Sequence, residues 1–398
     1  MFRMSAIENS GGDVFPPGSS SGTGPEAGQN TASGRDKAYN RIKLRVTVAG
    51  LVINFILLAL FAFSGISPVI VRFIESFVQS QWGVFLLFLV VSGAAFSAAG
   101  FPLDYYSGFV VEHRYALSNQ SPARWLYEKL KSSLVGMAIG LPVALVFYYL
   151  LSLAGPLWWL YFAVFLFFVS VLLARVAPVI IFPLFYRFTE LEDGEIKNRI
   201  MDIVNEQGVP FKGIFTFNMS KNTRKANAGF TGIGRSKRII LSDTLVEQFT
   251  PDEIAVIFAH EMGHYRRRHI LKNIVLSTVI IFLSLYCCAS LHAETISRMG
   301  FAHVHDVAAI PVLLFYLSVL SFFLMPLTNA ISRRFEVQAD TFALETTRDR
   351  ESFISSMDKL AAVNLADREP HPLNEFFFYS HPSIGKRVAF AREYKLQD

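Results

Sequence analysis

The chain has 398 residues, of which 52% are hydrophobic and 17% charged, with 38 phenylalanines and a formal net charge of +5. So apolar and charge-poor a composition excludes an ordinary soluble enzyme or a disordered protein and indicates a chain that lives in a lipid bilayer. The modest positive charge does not argue for a nucleic-acid partner, because membrane proteins gather Lys and Arg in cytoplasmic loops for reasons of topology.

Residues 1 to about 38 are rich in Gly, Ser and Pro and read as a disordered tail. Glu8, Asp13 and Glu26 argue against a transit peptide. A basic cluster follows at Arg35, Lys37, Arg41, Lys43 and Arg45. Apolar runs of about 20 residues then predict membrane helices. They cover about Val46 to Ile66, Trp82 to Ala99, Leu134 to Leu153, Leu157 to Phe185, Asn273 to Leu291 and Val307 to Leu327. A buried helix of a soluble core mimics one such run, but hardly six.

Basic stretches alternate with short or nearly neutral connections at 67–81, 154–156 and 292–306. The positive-inside rule therefore puts every basic stretch, and both termini, on the cytoplasmic side. The expected organisation is a tail at 1–38, spans one to four within 39–186 with a cytoplasmic loop at 100–131, a soluble insert at 187–271, spans five and six within 272–330, and a cytoplasmic C-terminal part at 331–398. Cys287 and Cys288, adjacent inside span five, form no disulfide framework and read as small packing residues.

Within the insert, Glu192 to Gln207 has helical spacing, and Gly213–Asn218, Lys225–Thr231 and Lys237–Leu241 favour strands. Thr250, Pro251 and Glu253 form a capping-box pattern that opens a further helix. That helix carries His260-Glu261-Met262-Gly263-His264. Two histidines four apart share one helical face and can grip one metal ion, and the Glu between them can take a proton from water: the zincin arrangement. A zinc ion held there supplies an acidified water and a Lewis acid for a peptide carbonyl.

Zinc needs a third protein ligand. Arg267 and Ile270 stand where a metzincin continuation would place Gly and His, so that ligand must be distant. Glu336 and Asp340, beyond span six, lie four apart on one helical face. Glu336 can ligate zinc, and Asp340 can hydrogen-bond a ligating histidine; a solvated acidic face is the alternative. The chain crosses the membrane twice between His264 and Glu336, so the two halves return to one side and can meet.

Several ordered motifs extend the pattern: Tyr105-Tyr106-Ser107-Gly108-Phe109 with Glu112-His113-Arg114-Tyr115, Lys225-Ala226-Asn227-Ala228, Ile240-Leu241-Ser242-Asp243-Thr244, Glu336-Val337-Gln338-Ala339-Asp340 and Ser380-His381-Pro382. Together with the zincin motif they resemble the integral-membrane type I CAAX prenyl endopeptidases, relatives of the yeast a-factor converting protease, over about residues 40 to 395. The chain departs from that family in having six expected spans where eukaryotic members have seven, and in its low-complexity tail.

The resemblance implies a mainly α, polytopic membrane protein with about six transmembrane helices around a chamber and a small α/β zincin-like catalytic domain at the cytoplasmic end. It implies a zinc site of His260, His264 and Glu336, with Glu261 as general base and His381 as stabiliser of the oxyanion. Asn227 and Ala228 become candidates for substrate backbone contacts on a sheet edge. Arg114 either recognises a substrate carboxylate, lines the chamber or simply flanks the membrane. His269 reads as a bystander, Arg266–Arg268 as a topology anchor, and Phe376–Tyr379 as packing.

The implied partners are the lipid bilayer and a peptide or protein substrate, prenylated or not. The expected location is a bacterial inner membrane, or the endoplasmic reticulum if the source is eukaryotic. An HtpX-like membrane quality-control protease and a catalytically silent membrane scaffold are the rival readings.

Overall fold

The computed structural model describes residues 25–208, 213–231 and 238–396. The tail residues 1–24 and the start of the third expected strand, Lys237, lie outside them. In chain order the helices of the first half are α1 (Pro25–Phe63), α2 (Ile66–Glu75), α3 (Gln81–Tyr105), α4 (Val111–Arg114), α5 (Pro122–Leu153), α6 (Trp158–Val176) and α7 (Phe182–Phe185). Next come β1 (Phe188–Glu190), α8 (Glu195–Gln207), β2 (Ile214–Phe217), β3 (Ala228–Thr231) and β4 (Arg238–Ser242). The chain continues through α9 (Asp243–Gln248), α10 (Pro251–Arg266), α11 (His269–Arg298), α12 (Ile310–Thr347), α13 (Arg350–Asn364), α14 (Pro372–Phe378) and α15 (Ile384–Glu393).

Among the described residues six helical stretches are long and apolar enough to cross a membrane: 34–63, 81–114, 122–153, 155–185, 269–298 and 307–347. Five of them contain an expected span whole; the first ends at Phe63, three residues before the expected limit at Ile66, which instead opens α2. The helices form a ring. Neighbouring pairs are α3 with α1, α1 with α12, α12 with α11, α11 with α6, and α6 with α5. The circuit closes between α5 and α3, where Phe85 stacks on Tyr148 at 4.3 Å and Trp125 meets Tyr105 at 5.5 Å.

The apolar stretches of these helices bury between 0% and 39% of their residues. A hydrophobic core built from α2 and the far ends of the spans, including Val71, Phe85, Leu151 and Trp158, closes one end. A small α/β domain stands at the other.

Two expectations about boundaries change. The stretch 100–131 is no open loop: α3 runs into a π-helical turn at Tyr106–Val110 and then α4, so only residues 115–121 connect to α5. Helix α1 begins at Pro25, inside the stretch expected to be tail. Hydropathy marks where the bilayer ends, whereas these helices continue into water because their polar residues find partners. Arg35 donates to the Tyr115 carbonyl at 2.7 Å, Asn40 to the Leu365 carbonyl at 2.6 Å, and Tyr39 to Glu112 at 2.5 Å. Strand β1 and the amphipathic helix α2 are additions; three residues and ten residues are too short for a periodic signal to stand out.

This α/β domain joins a small sheet to α8, α9, α10, α13, α15 and the end of α12. Strand order is β1-β2-β4-β3, with β2 and β4 parallel and the outer pairs antiparallel. Among the described residues β3 pairs with β4 alone and is therefore an edge. Ile254, Val256, Phe258 and Met262 of α10 pack against Leu241, Leu245, Leu344 and Phe353 in a single core.

Helix α10 starts with the expected capping box: Thr250 Oγ1 accepts from Glu253 N, and Glu253 Oε2 accepts from Thr250 N at 2.8 Å. Glu253 also accepts from Ser355 at 2.5 Å and Lys359 at 2.7 Å. Burial pushes the Glu253 carboxyl up, but these bonds outweigh it and hold its pKa below the ordinary 4.5. A carboxyl with a depressed folded pKa stabilises the fold above its unfolded pKa and loses that contribution as pH falls through the folded value. Glu253→Gln is expected to cost about 1–2 kcal/mol near neutral pH and nothing at acid pH. Denaturant melts of both proteins across pH 3–7 check this; a gap independent of pH contradicts it.

Candidate metal and active site

Helices α10 and α12 cross closely because small residues meet there. A Cβ on Gly263 would lie 3.0 Å from the Ala339 Cα and 3.1 Å from the Phe342 Cβ. This crossing brings Glu336 against the two histidines. His260 Nε2 lies 3.3 Å from Glu336 Oε2, His264 Nε2 lies 3.3 Å from Glu336 Oε1, and the two Nε2 atoms are 3.1 Å apart.

These separations fit a metal ion. Ligands about 2.0–2.1 Å from a tetrahedral zinc stand roughly 3.3–3.4 Å from one another. Among the described residues these three form the one group of His, Cys, Asp or Glu side chains able to hold an ion. Glu336 Oε2 is buried and accepts no hydrogen bond of acceptable geometry, although His260 and His381 atoms approach it. Its lone pair remains available to a cation.

Each histidine is held from behind. His260 Nδ1 meets Asp340 Oδ1 at 2.8 Å. Asp340, 1% exposed, is gripped by both arms of Arg387, Nε to Oδ2 at 2.8 Å and Nη2 to Oδ1 at 2.5 Å. Arginine donates only, so Asp340 is left to accept from His260 Nδ1–H, which turns the Nε2 lone pair to the metal position. Burial opposes charge on His260, but the hydrogen bonds to Asp340 and Glu336 push its pKa up to about 10. A cation taking the place of that proton at Nε2 displaces it, so metal binding weakens as pH falls.

His264 is held by a residue that helical projection places off the metal face. His264 Nδ1 meets His269 Nδ1 at 2.9 Å, and His269 Nε2 meets Gln338 Oε1 at 2.9 Å. The His269 ring stacks on Phe335 at 4.3 Å. Helix α10 ends at Arg266, and Arg268, with φ at 56°, turns the chain back over the site. His269 is therefore no bystander. The helix-breaking turn carries no glycine or proline to announce it.

His381 sits on the open side, its side chain 60% exposed and Nδ1 2.8 Å from Glu336 Oε2. Its loop is pinned to α12: Arg333 donates to the carbonyls of Glu375 at 3.0 Å and Tyr379 at 2.7 Å, and Asn329 to that of Phe377 at 2.6 Å. Glu261 is half-buried on α10 between the histidines.

Asn227 and Ala228 lie at the start of edge strand β3, which packs beside α10. The Asn227 N–H donates to Ser242 Oγ at 3.0 Å and its carbonyl accepts from Ser242 N at 2.9 Å. Arg114 is exposed at the end of α4 and has no hydrogen bond or ion pair to any site residue. Its neighbour Glu112, fully buried, pairs with Lys43 at 3.2 Å and Lys225 at 3.0 Å, tying α1 and α4 to the segment that leads into β3. The sequence does not single out Arg387, and it shows Glu112 only as part of the Glu112-His113-Arg114-Tyr115 motif, without a role. Arg387 follows His381 by less than two turns, and a lone Arg there looks like surface charge.

A membrane-helix ring closed by a small α/β domain, with two histidines and a distant glutamate on one spot, defines a multi-pass membrane metalloprotease. The chain belongs to peptidase family M48, whose model matches residues 190–395. Residues 29–187 match the CAAX prenyl protease N-terminal family, described as having five membrane helices, where this chain has four long helices and the short α2.

The metalloprotease YhfN of Bacillus subtilis is 33% identical over 371 residues, covering 89% of this chain and 84% of that protein. CAAX prenyl protease 1 of Saccharomyces cerevisiae is 30% identical over 388 residues, with the same 89% and 84% coverage. The crystal structure of Ste24p from S. mikatae superposes with a TM-score of 0.78 at 28% identity, covering 90% of this chain and 88% of that one.

Proposed function

We propose that the chain is a zinc endopeptidase that cuts peptide bonds of membrane-associated or lipidated substrates, with its active site on the cytoplasmic side. The single observation that carries the metal assignment is the triangle of His260, His264 and Glu336 donor atoms at 3.1–3.3 Å. Zinc bound there supplies a water of lowered pKa and polarises the scissile carbonyl.

The chain's own groups do the rest. Glu261 takes the proton of the attacking water and passes it to the leaving amine. His381, exposed at the open side, donates to the developing oxyanion. Asp340 with Arg387, and His269 with Gln338, fix the two ligand rings in the tautomer that leaves Nε2 free. Asn227 and the β3 edge pair with the substrate backbone as an added strand. The ring of helices offers an apolar space for a lipid chain or an unfolded membrane segment.

Glu336→Ala is expected to lose zinc, because two imidazoles alone do not complete a protein site; metal analysis showing full occupancy removes Glu336 from the ligand set. His269→Phe is expected to weaken zinc binding about 10–100-fold by freeing the His264 ring. A chelator titration of that variant checks it, and an unchanged midpoint contradicts the role.

The substrate class is tested by comparing a farnesylated CAAX peptide, its unprenylated twin and an unfolded membrane-protein fragment. Faster cleavage of the first supports prenyl recognition. Equal rates on the two peptides argue against it, and preference for the fragment favours the quality-control reading.

A further inference from the structure

A second concavity, of about 400 Å³, opens where the fourth span meets the sheet. Arg124 near the start of α5, Leu184 and Phe185 of α7, Arg187, Asn218 and Lys221 line it, with three cations and no carboxylate among its lining residues. The Lys221 ammonium donates to the Phe185 carbonyl and lies 5.0 Å from the centre of the Tyr186 ring. The guanidinium groups of Arg124 and Arg187 make no hydrogen bond or ion pair with any described residue. Glu128, the carboxylate that acts on Lys221, is itself engaged by Lys131 at 2.6 Å. Burial, and then Lys131, Arg124 and Arg187 around it, hold the Lys221 pKa below its ordinary value, against Glu128.

Like charges converging on one cavity repel, and an anion among them relieves that repulsion. The position selects the anion. The apolar stretch 155–185 ends at Phe185, the next residues but two enter β1, and Leu184 exposes 52% of its surface at the rim. The cavity therefore lies at headgroup depth, basic inside and apolar on its membrane edge.

We propose that this pocket binds the phosphate of an anionic phospholipid from the leaflet adjoining the catalytic domain. Such a lipid clips α5 and α7 to the sheet. Lys221 closes the Met219–Lys221 turn, in which Ser220 bonds Asp243 at the start of α9 through N at 2.9 Å and Oγ at 2.5 Å.

The test uses the full chain in detergent micelles doped with phosphatidylglycerol or phosphatidylcholine, read by native mass spectrometry and by melting midpoint. Phosphatidylglycerol is expected to remain bound and to raise the midpoint, and phosphatidylcholine to do neither. Arg124→Gln/Arg187→Gln is expected to lower phosphatidylglycerol affinity roughly tenfold or more. The control, Arg41→Gln/Arg45→Gln, removes as much charge from two α1 positions that are exposed like Arg124 and Arg187 but do not line the cavity, and is expected to bind like the parent. Equal losses in both variants, or none in the first, overturn the site. Inorganic phosphate displacing the lipid at matching concentration identifies a soluble anion as the ligand and overturns the lipid. A parent chain whose midpoint ignores phosphatidylglycerol overturns the proposal without recourse to any variant.

Discussion

Glu261→Gln is expected to keep its metal and lose peptide hydrolysis by about 10²–10⁴-fold, the usual contribution of a positioned general base. The substitution preserves the size and polarity of the side chain and touches none of the three ligand positions. Glu261 is half-buried on α10 between His260 and His264, so helix geometry alone puts it beside whatever the histidines hold. Arg387, partly buried, stays charged, its pKa raised because Asp340 and nearby Glu336 and Glu261 outweigh the effect of desolvation. Metal analysis and a cleavage assay on one preparation read both halves of the prediction. Undiminished turnover in the variant sinks the mechanism; loss of metal assigns Glu261 a structural part instead.

Glu112→Ala is expected to cost about 3–5 kcal/mol, because removing one member of a buried ion pair strands the other charges. Here one carboxylate, 0% exposed, serves two ammonium groups and the Tyr39 hydroxyl. Lys43 belongs to α1, and Lys225 to the segment just before β3. The cluster is therefore where the membrane ring grips the β3 edge of the sheet, the edge proposed to take the substrate. Neighbouring bonds reinforce it: Arg224 N donates to the Leu117 carbonyl at 2.9 Å, and Asn119 Nδ2 to the Ser220 carbonyl at 2.7 Å. A large fall in melting midpoint is expected for Glu112→Ala and also for Glu112→Gln, which keeps the shape but not the charge. Glu112→Gln melting like the parent contradicts the ion-pair account. Where Glu112→Gln still folds, a raised KM with little change in kcat is the expected sign of a loosened β3 edge.

The legible parts of this protein are those written in local periodicity. The six spans, the capping box at Thr250 and the histidine pair on α10 each follow from spacing within one helix, and the structure has them at those places. Glu336 and Asp340 were reachable because they share one helical face and because an even number of crossings returns them to the side of His264. What stayed hidden depends on contacts between distant segments. Arg387 is marked only by its grip on Asp340, and Glu112 only by lysines from two other parts of the chain. His269 was misread because projection onto a continuous helix assumes that the helix continues. Arg268 adopts a left-handed conformation and folds His269 back onto His264. The span limits were short for a related reason: hydropathy falls at the water boundary, while α3 with α4, and α12, carry on into the catalytic domain.

X-ray absorption at the zinc edge of the purified chain, with a cleavage assay on the same sample, tests the central claim most directly. The account predicts one zinc per chain, with two imidazole nitrogens and carboxylate or water oxygens at about 2.0–2.2 Å. It also predicts that activity disappears on chelation and returns with added zinc. Peptide hydrolysis that persists in metal-free protein, or a bound zinc without histidine ligands, would contradict it.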